Sequence, residues 1–546
     1  MSRVSGSYLI ARTLKHEGVG TLFYLMGGPN YEIVNNAEDL GIRTVDFRHE
    51  QAAAMAAHGY SRVTGKPGVT TAASGPGTLN LLTGQYNAYV DCAPMVTLGG
   101  AGPISDFGKG GFQEVDQVSI FRPVSKLAIR PTEPIMYPEQ VAAAFRAATS
   151  GRPGPVYIDC NEDVLYAEID EVNVPVQAAP SAIPRAEADP DAVSEAVDLL
   201  AAADRPLVIA GGGVFWSTAW TELRELVERL GVPFYTTPIS RGLIPDDHPL
   251  SFPAARSTAM READLVLVVG TRLNWILTFG RRFASDARVI QIDIYSDEIG
   301  RNRAVNVGLV GDAKAVLRQL IDAVDRSERK YPGRESSQWV NRLLEKHQER
   351  EARVAPLMNS NQMPIHPLRL CKEIRDVMDR DAILTVDGNE ILHYGRQSLP
   401  TYMPGHRLNS GVTGCMGVGL PYAIGAQLAK TDKQVISLHG DGSLGMNVME
   451  FDTAVRYKLP ILVVVSNNEG WTARVENIRK PGRELGFTRF EKIAEALGGY
   501  GECVEKPGDI RPALERALAS GVPAIVNVRT DPTARAISKF VGSKME

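Results

Sequence analysis

The sequence predicts an α/β protein of three doubly wound parallel-sheet domains. Three observations lead there. At 546 residues the chain has the length of about three ordinary domains. Two stretches of shifted composition divide it: from about Ala167 to Asp191 it turns rich in Pro, Ala and acidic residues, and from about Asp325 to Pro367 it is strongly charged, as linkers are rather than cores. In the blocks between them, short apolar runs alternate with segments of helical period, the pattern of strand and helix in a parallel sheet.

The first block, 1–165, opens with MSRVSGSYLIARTLKHEG, an amphipathic helix rather than a secretory signal. Further on, a strand ends near Phe47 and an Ala-rich helix runs from Gln51 to Tyr60. Glu50 therefore stands at the carboxyl end of a strand, where α/β sheets host chemistry. Taken alone, a glutamate there is better explained as a complement to the helix dipole. The second block, 190–325, begins with the strand PLVIAGGG. The third, 366–530, carries VISLH before Gly440 and ILVVV before Ser466, two buried parallel strands joined by an amphipathic crossover helix. The first and third blocks end alike, in GPVYIDC and PAIVNVRTDP, which suggests two related halves. A short tail, 531–546, closes with the basic ISKFVGSKME.

The turns after the two strands of the third block hold the most informative pair of residues. Gly440-Asp441-Gly442-Ser443 opens a helix whose free N–H groups and positive end suit a phosphate. Asn468 follows the second strand. The Asp441 carboxylate, the Asn468 amide oxygen and a backbone carbonyl near Gly470 are oxygen donors of the kind Mg²⁺ accepts, with phosphate oxygens and water completing an octahedron. A GDG turn alone is common; its weight comes from the spacing to Asn468 and from the strand patterns on either side.

Composition excludes several classes of function. With 44% hydrophobic and 23% charged residues, the chain is ordinary for a globular protein. Its net charge of −5 supplies no general basic field, so nucleic acid is not an expected partner. No apolar run reaches the length of a membrane span. The five cysteines, Cys92, Cys160, Cys371, Cys415 and Cys503, lie far apart without a CxxC, which points away from zinc and disulfides and fits a reducing cytoplasm.

GDG followed by NN at this spacing resembles the cofactor signature of thiamine-diphosphate-dependent enzymes, and the order of the three blocks resembles the pyrimidine, middle and diphosphate domains of the acetolactate-synthase-like group. The resemblance covers essentially the whole chain. It implies thiamine diphosphate and Mg²⁺ as cofactors, with Asp441, Asn468 and Gly470 on the metal and Gly440, Gly442 and Ser443 beside the diphosphate. It assigns to Glu50 the hydrogen bond that shifts the aminopyrimidine ring to its imino tautomer, so that the thiazolium carbon can lose its proton. SGPGTLN, Ser74 to Asn80, resembles the Gly-rich turn that packs by the pyrimidine. NSGVTGCMGVGLPYAIGA, Asn409 to Ala426, matches the stretch before the metal loop. There Met416 corresponds to the apolar wedge between the two cofactor rings, although by periodicity a methionine is more often core. Gly388, Asn389 and Gly414 complete the implied cofactor contacts. In this group active sites lie between subunits, which implies a homodimer or homotetramer.

The substrate branch rests on three further likenesses. GTRLNW, followed by Arg281-Arg282, resembles oxalyl-CoA decarboxylases and 2-hydroxyacyl-CoA lyases, and Arg152, Arg272 and Arg281 are candidates for the phosphates of an acyl-CoA. ISKFVGSKME resembles the short tail that folds over the CoA arm in that branch. Phe112-Gln113, in GGFQEVDQ, stands where the decarboxylases have Tyr-Glu and the lyases Phe-Gln. The chain departs from the lyase pattern at NNEGWTA, so Trp471 and Glu484 mark an altered substrate pocket. The resemblance thus implies cleavage of a short, branched or unbranched 2-hydroxyacyl-CoA to formyl-CoA and a ketone or aldehyde. Gln113 would orient the hydroxyl and Glu484 would serve as acid or base. The alternatives left open are a carboligase of 2-oxo acids, an oxalyl-CoA decarboxylase and a silent cofactor-binding paralogue. Occupancy of the middle block by a nucleotide such as ADP is equally open.

Overall fold

The computed structural model describes residues 3–175, 184–327, 331, 337–475, 478 and 481–536. Three parallel sheets carry the chain. The first runs in the order Arg43–Asp46, Thr21–Tyr24, Gly68–Ala72, Met95–Ala101, Pro155–Asn161, Ala128–Ile129. The second is Phe234–Thr236, Pro206–Ala210, Leu265–Val269, Arg288–Asp293, Val307–Val310, and the third is Arg407–Asn409, Ile383–Asp387, Val435–Gly440, Leu462–Asn467, Ala524–Arg529, Tyr500–Val504. Every pairing within these sheets is parallel. Counted along the chain within each sheet, the first and third share the order 2-1-3-4-6-5, so the two halves suggested by their similar endings are topologically the same. Arg3–Ser5 pairs antiparallel with Glu168–Asp170, a short strand within the stretch expected to be linker, and fastens it to the first residues described.

Side-chain alternation along the strands places cores on both faces of these sheets. Leu22 joins one cluster and its neighbour Phe23 another; Leu462 and Val464 join a third cluster, while Val463 and Val465 return to the one that holds Phe23. That shared cluster lies between the first and third sheets. Its centre is the crossing of helix Glu50–Thr64 with helix Gly419–Ala429. The alanines of the first helix and two glycines permit the approach: a Cβ on Gly59 would meet Tyr422 Cα at 2.8 Å, and one on Gly425 would meet the Ala56 carbonyl oxygen at 2.2 Å. Gly425→Val is therefore expected to push backbone from backbone and cost at least about 1–3 kcal/mol. An unchanged thermal unfolding midpoint would contradict this account of the crossing. Around it runs a buried polar seam, in which Asn87 Nδ2 donates to Tyr422 Oη at 2.6 Å and Tyr422 Oη lies 2.8 Å from His58 Nδ1. Burial holds the His58 pKa well below its usual value.

Two expectations are corrected. The charged stretch from Asp325 to Pro367 is not simply a linker: it contains the helix Gln338–Met358, whose Trp339, Val340 and Leu343 are buried in the middle core. Trp339 Nε1 donates to the Pro206 carbonyl at 3.0 Å. Its charges occupy the solvent side and hide a narrow apolar stripe from a composition count. The crossover between Val435–Gly440 and Leu462–Asn467 is two helices, Asp441–Asn447 and Glu450–Arg456, rather than one. Glycines at 442 and 445 weaken a continuous helix there, and Asn447 Nδ2 is drawn to the Gly417 carbonyl at 2.7 Å. All five cysteines are unpaired. Among the described residues no helix is long and apolar enough to cross a membrane.

Candidate active site

Three neighbouring strands of the third sheet end at Asp387, Gly440 and Asn467, and their carboxyl ends open into one cleft, the usual ligand position in a sheet of this kind. Gly388, Asn389, Met416, the run Gly440 to Ser443, Asn468, Gly470 and Trp471 all line it. Gly388, with φ +125°, takes a conformation that glycine tolerates, and a Cβ there would meet the Gly440 nitrogen at 3.1 Å. Ser443 Oγ ties the first helical turn back to the Asp387 and Gly440 carbonyls at 3.1 and 3.0 Å. The N–H groups of that turn have no helical acceptor, which makes a helix start of this kind a place for an anion. The Trp471 ring lies against Gly442, where a Cβ would meet it at 2.6 Å. Gly414, with φ +66°, shapes the turn leading to Met416 and is not itself among the residues lining the cleft.

The donor set for a cation is tested by its own hydrogen bonding. The Asn468 amide oxygen position lies 2.9 Å from Asp441 Oδ1 and 2.8 Å from the Gly470 carbonyl oxygen. With the oxygen turned inward, three acceptors converge as a cation would require; turned over, the amide nitrogen donates to both and satisfies them without one. Asp441 Oδ2 is buried without a partner, and burial pushes the Asp441 carboxyl up to about 6. A buried carboxylate, an amide oxygen and a carbonyl oxygen are a set that a hard cation satisfies. No cluster of three His, Cys, Asp or Glu side chains able to hold a metal occurs among the described residues, so an ion here would take backbone and amide oxygens beside one carboxylate.

A second constellation forms at the carboxyl end of the first sheet. Glu50 is the first residue of its helix and is only 7% exposed. Asn80 Nδ2 donates to its Oε2 at 3.0 Å. Gly77 leaves room at the other oxygen, since a Cβ there would come within 3.2 Å of Oε1. Ser74 Oγ lies 2.5 Å from Gln113 Oε1 and donates to it. Gln113 holds φ +57°, and Gly75 packs so tightly against it that a Cβ would sit 2.7 Å from the Gln113 Cβ. Beside it Phe112 is 84% exposed. Thus Glu50, Ser74, Asn80 and the Phe112-Gln113 turn belong to one neighbourhood, but none of them lines the cleft that holds Asp441.

A cavity of about 190 Å³ opens at the carboxyl ends of the second sheet, lined by Gly212, Gly213, Gly270, Asp293, Gly311 and, from the neighbouring blocks, Cys92 and Val412. Arg152 and Arg272 are on its wall. Arg152 is charge-paired, with Glu298 at 3.0 Å and Asp293 at 3.5 Å, whereas Arg272 donates to the neutral Val90 carbonyl. Arg281 is outside the lining, with its guanidinium 5.3 Å from the Phe279 ring centroid. Glu484 does not line the cleft either. Its side chain is 67% exposed and pairs with Arg474 at 3.5 Å, although its backbone bridges to Gly470. The basic end of the tail, 537–546, lies outside the described residues.

Several residues that hold the site were not singled out by sequence. Asp387 accepts from the Gly419 N–H at 2.9 Å and steadies the turn after Met416; its position at a strand end, two residues before Asn389, was the available signal. Gln117 anchors the Gly75 N–H at 2.8 Å while donating to Asp159 at 2.7 Å. Arg483 is buried behind Gly470, with Nε and Nη1 unpartnered. For these two nothing in the local sequence pattern marks a role.

Two groups of residues thus stand at strand ends, one around a buried acid and one at a helix-opening turn beside an oxygen donor set. Family models for the thiamine pyrophosphate enzyme match in the same three-part order: the N-terminal TPP binding domain over residues 4–120, the central domain over 193–320 and the C-terminal TPP binding domain over 392–528. The chain belongs to the thiamine pyrophosphate enzyme family. It is 36% identical to a probable acetolactate synthase of Mycobacterium bovis over 96% of this chain and 95% of that protein. It is also 36% identical to a 2-hydroxyacyl-CoA lyase of Arabidopsis thaliana over 98% and 97%, and 34% identical to an oxalyl-CoA decarboxylase of Escherichia coli over 98% and 96%. Identities this similar across three reaction names do not separate the three substrates.

Proposed function

We propose that this enzyme is a 2-hydroxyacyl-CoA lyase, dependent on thiamine diphosphate and Mg²⁺, that cleaves the C1–C2 bond of a short 2-hydroxyacyl-CoA to formyl-CoA and a ketone or aldehyde. The observation that carries the reading is Gln113, a neutral amide beside the Glu50 neighbourhood, fixed by Ser74 and by its own left-handed backbone. When bound, thiamine diphosphate supplies a carbon nucleophile and an electron sink. Asp441, Asn468 and Gly470 would hold its Mg²⁺, and the first turn of helix Asp441–Asn447 its diphosphate. Glu50 holds and returns a proton at the pyrimidine ring. Trp471, folded over Gly442, covers one side of the cleft from water. In the overall reaction the 2-hydroxyl loses its proton as its carbon becomes a carbonyl, and the carbon of the thioester gains one, so no outside oxidant or reductant enters. Gln113 can orient that hydroxyl without adding a negative charge, which suits this bookkeeping better than a carboxylate would.

Because Glu50 and Asp441 do not share a cleft within one chain, the reading includes a homo-oligomer, at least a dimer, whose sites form between chains. Exposed Met26, Phe112, Met446 and Met449 supply apolar surface for such contacts. The middle cavity, at the strand ends where α/β sheets receive nucleotides, suits the adenine nucleotide portion of the substrate or free ADP. Arg152, engaged by Glu298 and Asp293, acts there as wall, while Arg272 keeps its charge for a phosphate.

The test is a mass-spectrometric survey of 2-hydroxyacyl-CoA thioesters for formyl-CoA release, run beside pyruvate and oxalyl-CoA. Faster turnover of either of those two than of every 2-hydroxyacyl-CoA would overturn the lyase reading and leave the cofactor reading standing. Within the lyase reading, Gln113→Ala is expected to lower the cleavage rate by about 2–4 kcal/mol of barrier with little effect on CoA binding, as for loss of one transition-state hydrogen bond. An equal effect on rate and on binding would mean that Gln113 only shapes the pocket.

A further inference from the structure

Helix Glu450–Arg456 begins immediately after the metal-loop helix and is packed against the turn that precedes Glu50. The Glu450 carboxylate is 1% exposed. It accepts the Arg48 N–H at 3.2 Å, the His49 N–H at 3.0 Å and the Thr453 hydroxyl at 2.7 Å. Its neighbours reinforce the contact. Arg456 donates to Asp46 Oδ1 at 2.6 Å, Tyr457 Oη both donates to Asp46 and accepts its N–H at 3.0 Å, and Arg48 pairs with Asp452 at 2.7 Å.

The backbone from Asp46 to His49 thus has N–H groups satisfied by side chains some four hundred positions away. His49 is the N-cap of the helix that Glu50 starts, and its own Nδ1 accepts the Gln51 N–H at 3.0 Å. Fixing the cap fixes the backbone from which the Glu50 side chain departs. Asn80 then sets the other end of that side chain. A buried carboxylate is costly to place, and here its oxygens are spent on two backbone donors at one turn.

We propose that Glu450 is a positioning residue for Glu50, holding the turn so that the Glu50 carboxyl presents one oxygen to Asn80 and the other to the cofactor ring. The proposal rests on the reading of Glu50 as the acid at the pyrimidine, and the experiment separates the two.

The holoenzyme with thiamine diphosphate and Mg²⁺ is compared with Glu450→Ala, Glu450→Gln and Glu50→Gln by three measurements: deuterium exchange at the thiazolium carbon, cofactor affinity by calorimetry, and thermal midpoint. Glu450→Ala is expected to slow exchange by at least about tenfold, roughly one lost hydrogen bond's worth, with affinity nearly unchanged. Glu450→Gln, whose amide oxygen still accepts the His49 N–H, is expected to recover most of the rate. Should the alanine variant fail to fold, Glu450→Asp, which shortens the reach by one methylene, is expected to slow exchange in its place. Parental exchange in Glu450→Ala, or in Glu450→Asp where that takes its place, overturns the proposal. So does a glutamine variant as slow as the alanine one, because charge rather than placement would then be what matters. If Glu50→Gln itself exchanges at the parental rate, it is the reading of Glu50 that falls.

Discussion

Replacing Glu50 by glutamine is expected to leave thiamine diphosphate affinity near that of the parent and to lower turnover by about 10²–10⁴-fold, the usual range for loss of a general acid or base. The amide is nearly the same shape, so the helix cap at His49 and the packing of the Ala-rich helix should persist. What it cannot do is hold and release a proton at the pyrimidine ring; its amide oxygen still accepts from Asn80 Nδ2, which donates to the Glu50 carboxylate at 3.0 Å. Proton exchange at the thiazolium carbon is the direct measurement. If exchange in the variant matches the parent, Glu50 has been misassigned, whatever happens to overall activity.

Asp441→Ala is expected to abolish Mg²⁺-dependent retention of the cofactor. Two features make the effect large. The carboxylate is the one charged member of the donor set with Asn468 and Gly470, and its Oδ2 is buried without a protein partner. Mg²⁺ tolerates little distortion of its octahedron, so a water replacing the carboxylate would not restore both charge and placement. The loss should exceed the roughly 10–100-fold that removal of an outer-shell partner costs. Chelation of the parent should reproduce it. Calorimetry showing unchanged cofactor binding after either treatment would remove the cation from the reading.

Legibility in the sequence followed the range of the interaction. Asp441 and Asn468 could be read because each directly follows a buried apolar strand, and Glu50 because it opens an Ala-rich helix a few residues after a strand. The three blocks could be read because parallel strands buried on both faces are nearly continuous apolar runs. Helix Gln338–Met358 could not, since its buried Trp339, Val340 and Leu343 are scattered among charges that dominate any window. Glu450 was invisible for another reason: its partners Arg48 and His49 are about four hundred residues away, and their backbone N–H groups carry no mark in a sequence. Arg152 shows what the sequence leaves out in the other direction. An arginine near a nucleotide-type turn invites a phosphate, but Glu298 and Asp293 already engage it.

The common strand order of the first and third sheets extends to their contact. Helix Glu50–Thr64 follows the second strand of its sheet, helix Gly419–Ala429 follows the second strand of its own, and these two equivalent helices are the ones that cross. Like meets like across the crossing, with a glycine from each side admitting the other, as in an isologous interface of two identical subunits. A pseudo-twofold axis therefore runs through the middle of a single polypeptide.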